Sequence, residues 1–225
     1  MKQYFLYIFF LCCIILGVSY YNTYVNTKES FDINKDTFIL LGDSIIKNNS
    51  YVSHGKNIEE IILERTNGKS HCYAKDHSKI VDVYNQISLI PLEYNNSNTL
   101  IFLSVGGNDI LFHYIDQEGD STDSSILKPM FSSYKKLIES IKIRLPLAKL
   151  YLLDIYYPNN IKYKPFHMIL SEWNSMLYNY AEDPKNKISG VIRISNIITQ
   201  EDDFTFGIEP SSKGGEKIAE YILSV

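Results

Sequence analysis

Cysteines and basic clusters are scarce in this sequence, and each scarcity excludes a class of protein. Three cysteines occur in 225 residues: Cys12 and Cys13 are adjacent, and Cys72 stands alone. This spacing provides neither a disulfide framework nor a cysteine-based metal site. The formal net charge is −4 and there is no basic stripe, which argues against nucleic acid as a partner.

The sequence does contain enough apolar material for one folded domain. Hydrophobic residues make up 45% of the chain and charged residues 21%, an ordinary globular balance that argues against disorder. A length of 225 residues fits one domain with a full hydrophobic core and leaves little for a second domain.

Residues 1–21 carry the one clear targeting signal. Lys2 precedes an uncharged, mostly apolar run over residues 4–21, which is long enough to span a bilayer. Because this run is long for the apolar part of a signal peptide, we predict a hydrophobic helix that anchors the protein in a membrane by a single pass. The domain that follows is then extracytoplasmic or lumenal. The alternative is a signal peptide cleaved near Gly17-Val18-Ser19, which would make the protein secreted.

The rest of the chain divides into a polar tether at residues 22–36 and a domain at residues 37–225. Within the domain, predicted strands alternate with predicted helices, and residues 99–105 form a continuous apolar run that is typical of a strand covered on both faces. This alternation predicts a three-layer α/β/α sandwich with a central parallel sheet, of the flavodoxin-like type, preceded by the N-terminal hydrophobic helix. The predicted strands are residues 37–41, 70–74, 99–105, 147–155 and 191–194, and the predicted helices are residues 57–65, 80–89, 129–144, 166–181 and 211–223.

Two polar stretches follow predicted strands, where a parallel sheet binds its ligands. Gly42-Asp43-Ser44 comes after the first strand, and Ser44 is a candidate nucleophile with backbone N–H groups nearby to receive a developing oxyanion. The alternative for Ser44 is a helix N-cap. Gly106-Gly107-Asn108-Asp109 follows the third strand, and the Asn108 amide is a candidate oxyanion donor that carries no charge. The alternative for Asn108 is a turn with local side-chain bonds.

Together these stretches resemble the SGNH (GDSL-type) hydrolase family over most of residues 37–225. GDS at 42–44 is similar to the family's nucleophile block, GGND at 106–109 to its asparagine block, and GIEPSSKGGEKIAEYI at 207–222 to its C-terminal block. The family contains esterases, lipases, acyl-thioesterases and carbohydrate deacetylases. The resemblance implies that Ser44 is the nucleophile and that Asn108 belongs to the oxyanion hole.

Two positions depart from the family pattern. His77 stands where the family has a glycine whose backbone N–H completes the oxyanion hole, so His77 is a candidate backbone donor and also an alternative base. At the family's Asp-x-x-His pair, this chain has Phe206 in the acid's place and Glu209 in the histidine's place.

Glu209 is therefore the candidate general base. A carboxylate can accept a proton from a serine hydroxyl, and burial improves it by raising its pKa. We expect Phe206, Ile208 and Pro210 to supply some apolar surroundings. The alternative is a carboxylate that stabilises the N-terminus of the last helix. Upstream, Asp202 and Asp203 are candidates either to orient a base or to form an acidic surface turn.

The predicted function is a serine esterase that acts on an ester, with an O-acetylated glycan and a lipid as the substrate classes considered. Its nucleophile and oxyanion donors are all protein groups, so we expect neither a metal nor an organic cofactor. The alternative is a catalytically inactive protein of the same fold that binds a glycan or a lipid headgroup.

Fractionation of cells that express the full chain tests the anchor. The protein should sediment with membranes and resist extraction by alkaline carbonate, because a spanning apolar helix is held by the hydrocarbon core. Its N-terminal sequence should still include residues 2–21. Soluble protein whose sequence begins near Tyr20 would instead show a cleaved signal peptide.

Overall fold

The computed structural model describes residues 36–116 and 124–225. The predicted anchor at 1–21 and nearly all of the tether at 22–36 lie outside the described residues. Within the described ranges, no helix is both long enough and apolar enough to cross a bilayer.

A parallel sheet of five strands forms the centre of the domain, as predicted. The strand order is β2-β1-β3-β4-β5, and each neighbouring pair is parallel. All six residues of β3 are buried, which explains their continuous apolar run. The strands are β1 Thr37–Gly42, β2 Ser70–Cys72, β3 Thr99–Ser104, β4 Lys149–Leu153 and β5 Gly190–Ile192.

Helices cover both faces of this sheet and complete the predicted three-layer α/β/α sandwich. The first and last helices contact each other, and the second and fifth both contact the fourth. The helices of the domain are α1 Ile58–Arg65, α2 Val83–Ser88, α3 Gly107–Asp116, α4 Leu127–Arg144, α5 His167–Glu182 and α6 Ser212–Ser224.

Two helices differ most from the sequence prediction. The helix predicted at 80–89 is shorter, since α2 begins at Val83 and ends at Ser88. Helix α3 was not predicted at all, because it begins inside the glycine-rich stretch at Gly107, a composition that usually indicates a turn.

Aromatic side chains fill much of the core. Phe38, Phe102 and Tyr151 stack across β1, β3 and β4, with ring centroids 5.8 and 5.3 Å apart. Trp173 on α5 is fully buried and lies edge-on to Phe131 on α4, at 5.3 Å. Offset and edge-on arrangements of this kind add to the stabilisation from burial alone.

A short antiparallel hairpin follows the sheet and leads into α6. Its strands are β6 Phe204–Thr205 and β7 Glu209–Pro210, with Thr205 paired to Glu209. Phe206 and Gly207 turn the chain in the left-handed region, with φ of 49° and 83°. The sequence analysis did not predict this hairpin, although it singled out Glu209, which the hairpin carries.

Candidate active site

The structure brings the four sequence-predicted site residues to one cleft. Ser44 follows β1, Asn108 follows β3 and Glu209 lies on β7, and all three line a cavity of about 230 Å³ together with His77. The cavity opens at the carboxyl ends of the parallel strands, where such sheets bind their ligands.

Ser44 is placed by a tight turn at the end of β1. Gly42 has φ of +129°, and a Cβ at this position would lie 1.7 Å from the Ser104 carbonyl oxygen, so only glycine fits here. The Asp43 carboxylate accepts the Ile45 N–H at 3.1 Å and closes the turn. A turn and not a helix follows, so the alternative of Ser44 as a helix N-cap is wrong. Ser44 itself is only 6% exposed.

Asn108 lies in the first turn of α3 and is half-buried. Its Nδ2 donates to the Ser78 carbonyl at 3.0 Å, a long-range contact and not the local turn bond of the alternative interpretation. Because a primary amide has two N–H donors, one remains for a ligand in the cleft. The neighbouring Asp109 carboxylate accepts the Ile80 N–H at 3.0 Å, and burial raises the pKa of Asp109 to about 6.

His77 lies at the mouth of the cleft with a backbone conformation that favours glycine. Its φ is +60°, which is uncommon for a residue with a side chain and is consistent with the glycine that the family has at this position. The His77 side chain is 70% exposed, and its Nδ1 lies 2.8 Å from Asp76 Oδ1. The other Asp76 oxygen accepts the Tyr51 hydroxyl at 2.7 Å. Within residues 36–116 and 124–225, the His77 ring forms no hydrogen bond to Ser44.

Two backbone donors at the cleft are unused. The N–H groups of Ser44 and His77 form no hydrogen bond with any described residue of the chain. Both residues line the same cavity as Asn108. The cleft therefore contains three N–H donors that are available to a ligand oxygen.

Glu209 faces the nucleophile from the hairpin. Its half-buried carboxylate interacts with the Ser44 side chain, which lowers its pKa, while its Oε2 atom is buried and has no hydrogen-bond partner among the described residues. Burial raises the pKa of Glu209 and the nearby Asp76 raises it further, whereas Ser44 and His77 lower it, and the net shift is upward. The side-chain cap of α6 is Ser211, which accepts the Gly214 N–H at 3.1 Å, and the alternative role of Glu209, an electrostatic effect on this helix end, stays a prediction.

The hairpin that carries Glu209 is anchored by a buried ion pair. Asp203 is fully buried and accepts Lys217 Nζ at 2.6 Å and the backbone N–H groups of Thr199 and Gln200 at 3.0 Å each. Burial alone would raise the pKa of Asp203, but Lys217 and these N–H groups hold it below its usual value. Of the two upstream candidates, Asp202 is therefore the exposed one, and Asp203 positions the loop without contacting Glu209.

Two aromatic residues belong to this loop or contact it. Phe206, in the place of the family's orienting acid, is 76% exposed and cannot orient a base by hydrogen bonding. Tyr156, which follows β4, donates its hydroxyl to the Ile208 carbonyl at 2.6 Å and packs edge-on against Phe204. No local sequence pattern indicates these contacts of Tyr156.

The rest of the cleft is apolar. Aliphatic and aromatic side chains from α3, α5 and the segments after β4 form most of its walls. Within the described part of the chain, no group of three histidine, cysteine, aspartate or glutamate side chains is suited to hold a metal ion. The apolar walls are formed by Ile110, Leu111, Phe112, Ile155, Pro158, Tyr163, Phe166, Leu170 and Ile208.

Comparison with known proteins gives matches only at the level of structure. No family model matches the sequence, and no curated protein matches it either. A structure of a member of the lipolytic protein G-D-S-L family from Veillonella parvula DSM 2008 superposes with a TM-score of 0.63 and 21% identity, covering 84% of this chain and 97% of the other. Phospholipase A1 from Streptomyces albidoflavus NA297 gives 0.62 and 13% identity, covering 84% and 98%.

A third structure, the lipase Lip_vut3 from a goat rumen metagenome, has a TM-score of 0.64 and 17% identity and covers 83% of this chain and 95% of the other. These neighbours are matched over nearly their whole length, so the likeness covers a complete domain. The chain has the SGNH (GDSL-type) hydrolase fold, and the fold predicted from the sequence is confirmed.

Proposed function

We propose that this protein is a serine hydrolase of the SGNH type that cleaves carboxylic esters. The observation that carries the proposal is that Ser44 and Glu209 line one cleft and interact there, beside N–H donors that have no partner among the described residues. A hydroxyl paired with a carboxylate beside such donors is the arrangement that acyl transfer requires. The hydrolases and lipases among the structural neighbours support this chemistry.

The reaction uses only groups of the protein and water. Ser44 Oγ attacks the ester carbonyl carbon while Glu209 takes the hydroxyl proton. The negative oxygen of the tetrahedral intermediate accepts N–H groups from Ser44, His77 and Asn108. When the intermediate collapses, the carbon–oxygen bond to the alcohol breaks and Glu209 returns the proton to the leaving oxygen. Water then repeats the sequence at the acyl-enzyme and releases the acid.

Glu209 differs from a solvated glutamate in ways that favour this role. A solvated glutamate has a pKa near 4.3 and is a weak base toward an alcohol. Burial and the negative charge of Asp76 raise the pKa of Glu209, and its unpartnered Oε2 loses the solvation that would otherwise stabilise the anion. The carboxylate therefore has a higher proton affinity than a solvated glutamate.

The shape of the cleft favours an apolar acyl group. Apart from its polar site residues, its walls are mostly aliphatic and aromatic. Burying a methylene group against such walls stabilises binding by about 0.8 kcal/mol. We therefore favour a lipid-like ester over an O-acetylated glycan. The alternative is a catalytically inactive protein that binds a lipid headgroup. Binding of the ester without turnover in the next experiment would favour this alternative.

Hydrolysis of p-nitrophenyl esters by the full chain in detergent tests the function. We expect turnover of both the acetate and the octanoate, with a lower KM for the octanoate because its chain is buried in the cleft. Ser44→Ala should abolish turnover and keep the wild-type melting temperature. Turnover that survives in Ser44→Ala, or binding of the ester without turnover by the wild type, would overturn the proposal.

Asn108→Ala tests the oxyanion hole. Loss of one donor of this kind typically lowers kcat by about 10²-fold or more, and we expect a loss of that size here. The matched control is Asn186→Ala, which removes the same type of bond, from Nδ2 to the Tyr180 carbonyl at 2.7 Å, away from the cleft. An equal loss of activity in the two variants would show that Asn108 acts only through stability.

Glu209→Gln and His77→Ala, assayed from about pH 4 to about pH 9, identify the base. Only the carboxylate accepts the serine proton, so wild-type activity should fall as the pH drops through a Glu209 pKa that lies above its ordinary value. Glu209→Gln keeps the shape of the side chain and should lose most activity at every pH. His77→Ala should stay active, because its backbone N–H remains, and its pH profile should move to higher pH, because the His77 side chain lowers the pKa of Glu209. A dead His77→Ala beside an active Glu209→Gln would make His77 the base.

A further inference from the structure

Gln86 is a buried amide that lies behind the cleft and does not line it. It projects from α2, is 1% exposed, and bonds to both backbone groups of Gly42. Its Oε1 accepts the Gly42 N–H at 2.8 Å, and its Nε2 donates to the Gly42 carbonyl at 2.8 Å. The same Nε2 donates to Ser78 Oγ at 3.1 Å. All three partner atoms around this amide are thus matched to it in polarity.

The two bonds from Gln86 to Gly42 take the place of backbone hydrogen bonds from a neighbouring strand. On this side of β1 the pairing with β2 ends at Leu40 and Cys72, so Gly42 has no strand partner there. A buried N–H or carbonyl without a partner is destabilising, and the Gln86 amide satisfies both groups, while Lys75 N–H also donates to the carbonyl at 3.0 Å. The last residue of β1, two positions before Ser44, is therefore fixed from α2.

The bond from Gln86 to Ser78 also links Gln86 to the candidate oxyanion donors. The backbone carbonyl of Ser78 accepts the Asn108 amide at 3.0 Å, and Ser78 directly follows His77. One side chain thus connects the turn that presents Ser44 with the loop that presents His77 and orients Asn108.

We propose that Gln86 is a positioning residue that sets the spacing between the Ser44 hydroxyl and the donors of the oxyanion hole. It contacts neither substrate nor reacting atoms, and it acts through Gly42 and Ser78. This role rests on the proposed esterase function. Its effect falls on the chemical step, because the donors must meet an oxyanion that exists only during the reaction.

Gln86→Met removes the three hydrogen bonds and keeps most of the side-chain volume. A misplacement of about 1 Å can cost about 10²-fold in rate, so we expect kcat to fall by at least about 10-fold with KM changed by less than about threefold. The matched control is Val83→Ala on the same helix, a fully buried position whose side chain has no hydrogen-bonding group. It should lower the melting temperature and leave kcat at the wild-type value.

Gln86→Glu provides a second test of the positioning role in case the Gln86→Met variant does not fold. A protonated carboxyl can accept the Gly42 N–H and donate to the Gly42 carbonyl, whereas a carboxylate meets that carbonyl with like polarity. The ratio of its kcat to the wild-type kcat should therefore rise as the pH is lowered. Ser78→Ala, which removes only the link to the oxyanion loop, should lower kcat by a smaller factor than Gln86→Met.

The outcomes separate this proposal from the one it rests on. If the wild type shows no turnover that depends on Ser44, the esterase function fails and the positioning role fails with it. If that turnover is present but folded Gln86→Met keeps the wild-type kcat, or the Gln86→Glu ratio does not change with pH, only the positioning role is overturned.

Discussion

The contact between the Ser44 hydroxyl and the Glu209 carboxylate is the interaction on which the site depends. The two residues come from opposite ends of the domain, one from the turn after β1 and the other from the hairpin before α6. The turn that presents Ser44 requires glycine at position 42. The hairpin that carries Glu209 is held in place by the ion pair between Asp203 and Lys217. The parallel sheet supplies the fixed edge on which both segments meet.

The electrostatics of the cleft make the N–H donors essential to the proposed chemistry. Asp43 is 1% exposed, and burial together with the charges of Glu209 and Asp109 raises its pKa well above the usual range. Glu209 experiences the negative charge of Asp76 in the same way. An oxyanion that forms among these carboxyl groups needs donors aimed at it, since the surroundings otherwise disfavour negative charge. Backbone and amide N–H groups supply this stabilisation without adding a net charge.

Much of the fold, and part of the site, could be predicted from the sequence because the signals are local. Apolar runs identify β1, β3 and β4, and the polar stretches that follow them place Ser44 and Asn108 at one edge of the sheet. Helix α3 was missed because its start is rich in glycine. The hairpin and the roles of Gln86 and Asp203 were missed because they depend on contacts between residues far apart in the chain, such as Gln86 with Gly42. No local pattern indicates which partner a buried amide will have.

The most direct test of the account is the pH dependence of Ser44 labelling by a fluorophosphonate in the full chain. Such a probe reacts with a serine that a base has activated. The account predicts labelling in the wild type that rises with pH through one ionisation above about 4.3 and is nearly lost in Glu209→Gln. Labelling of Glu209→Gln at the wild-type rate and with the same pH profile would show that Glu209 does not activate Ser44.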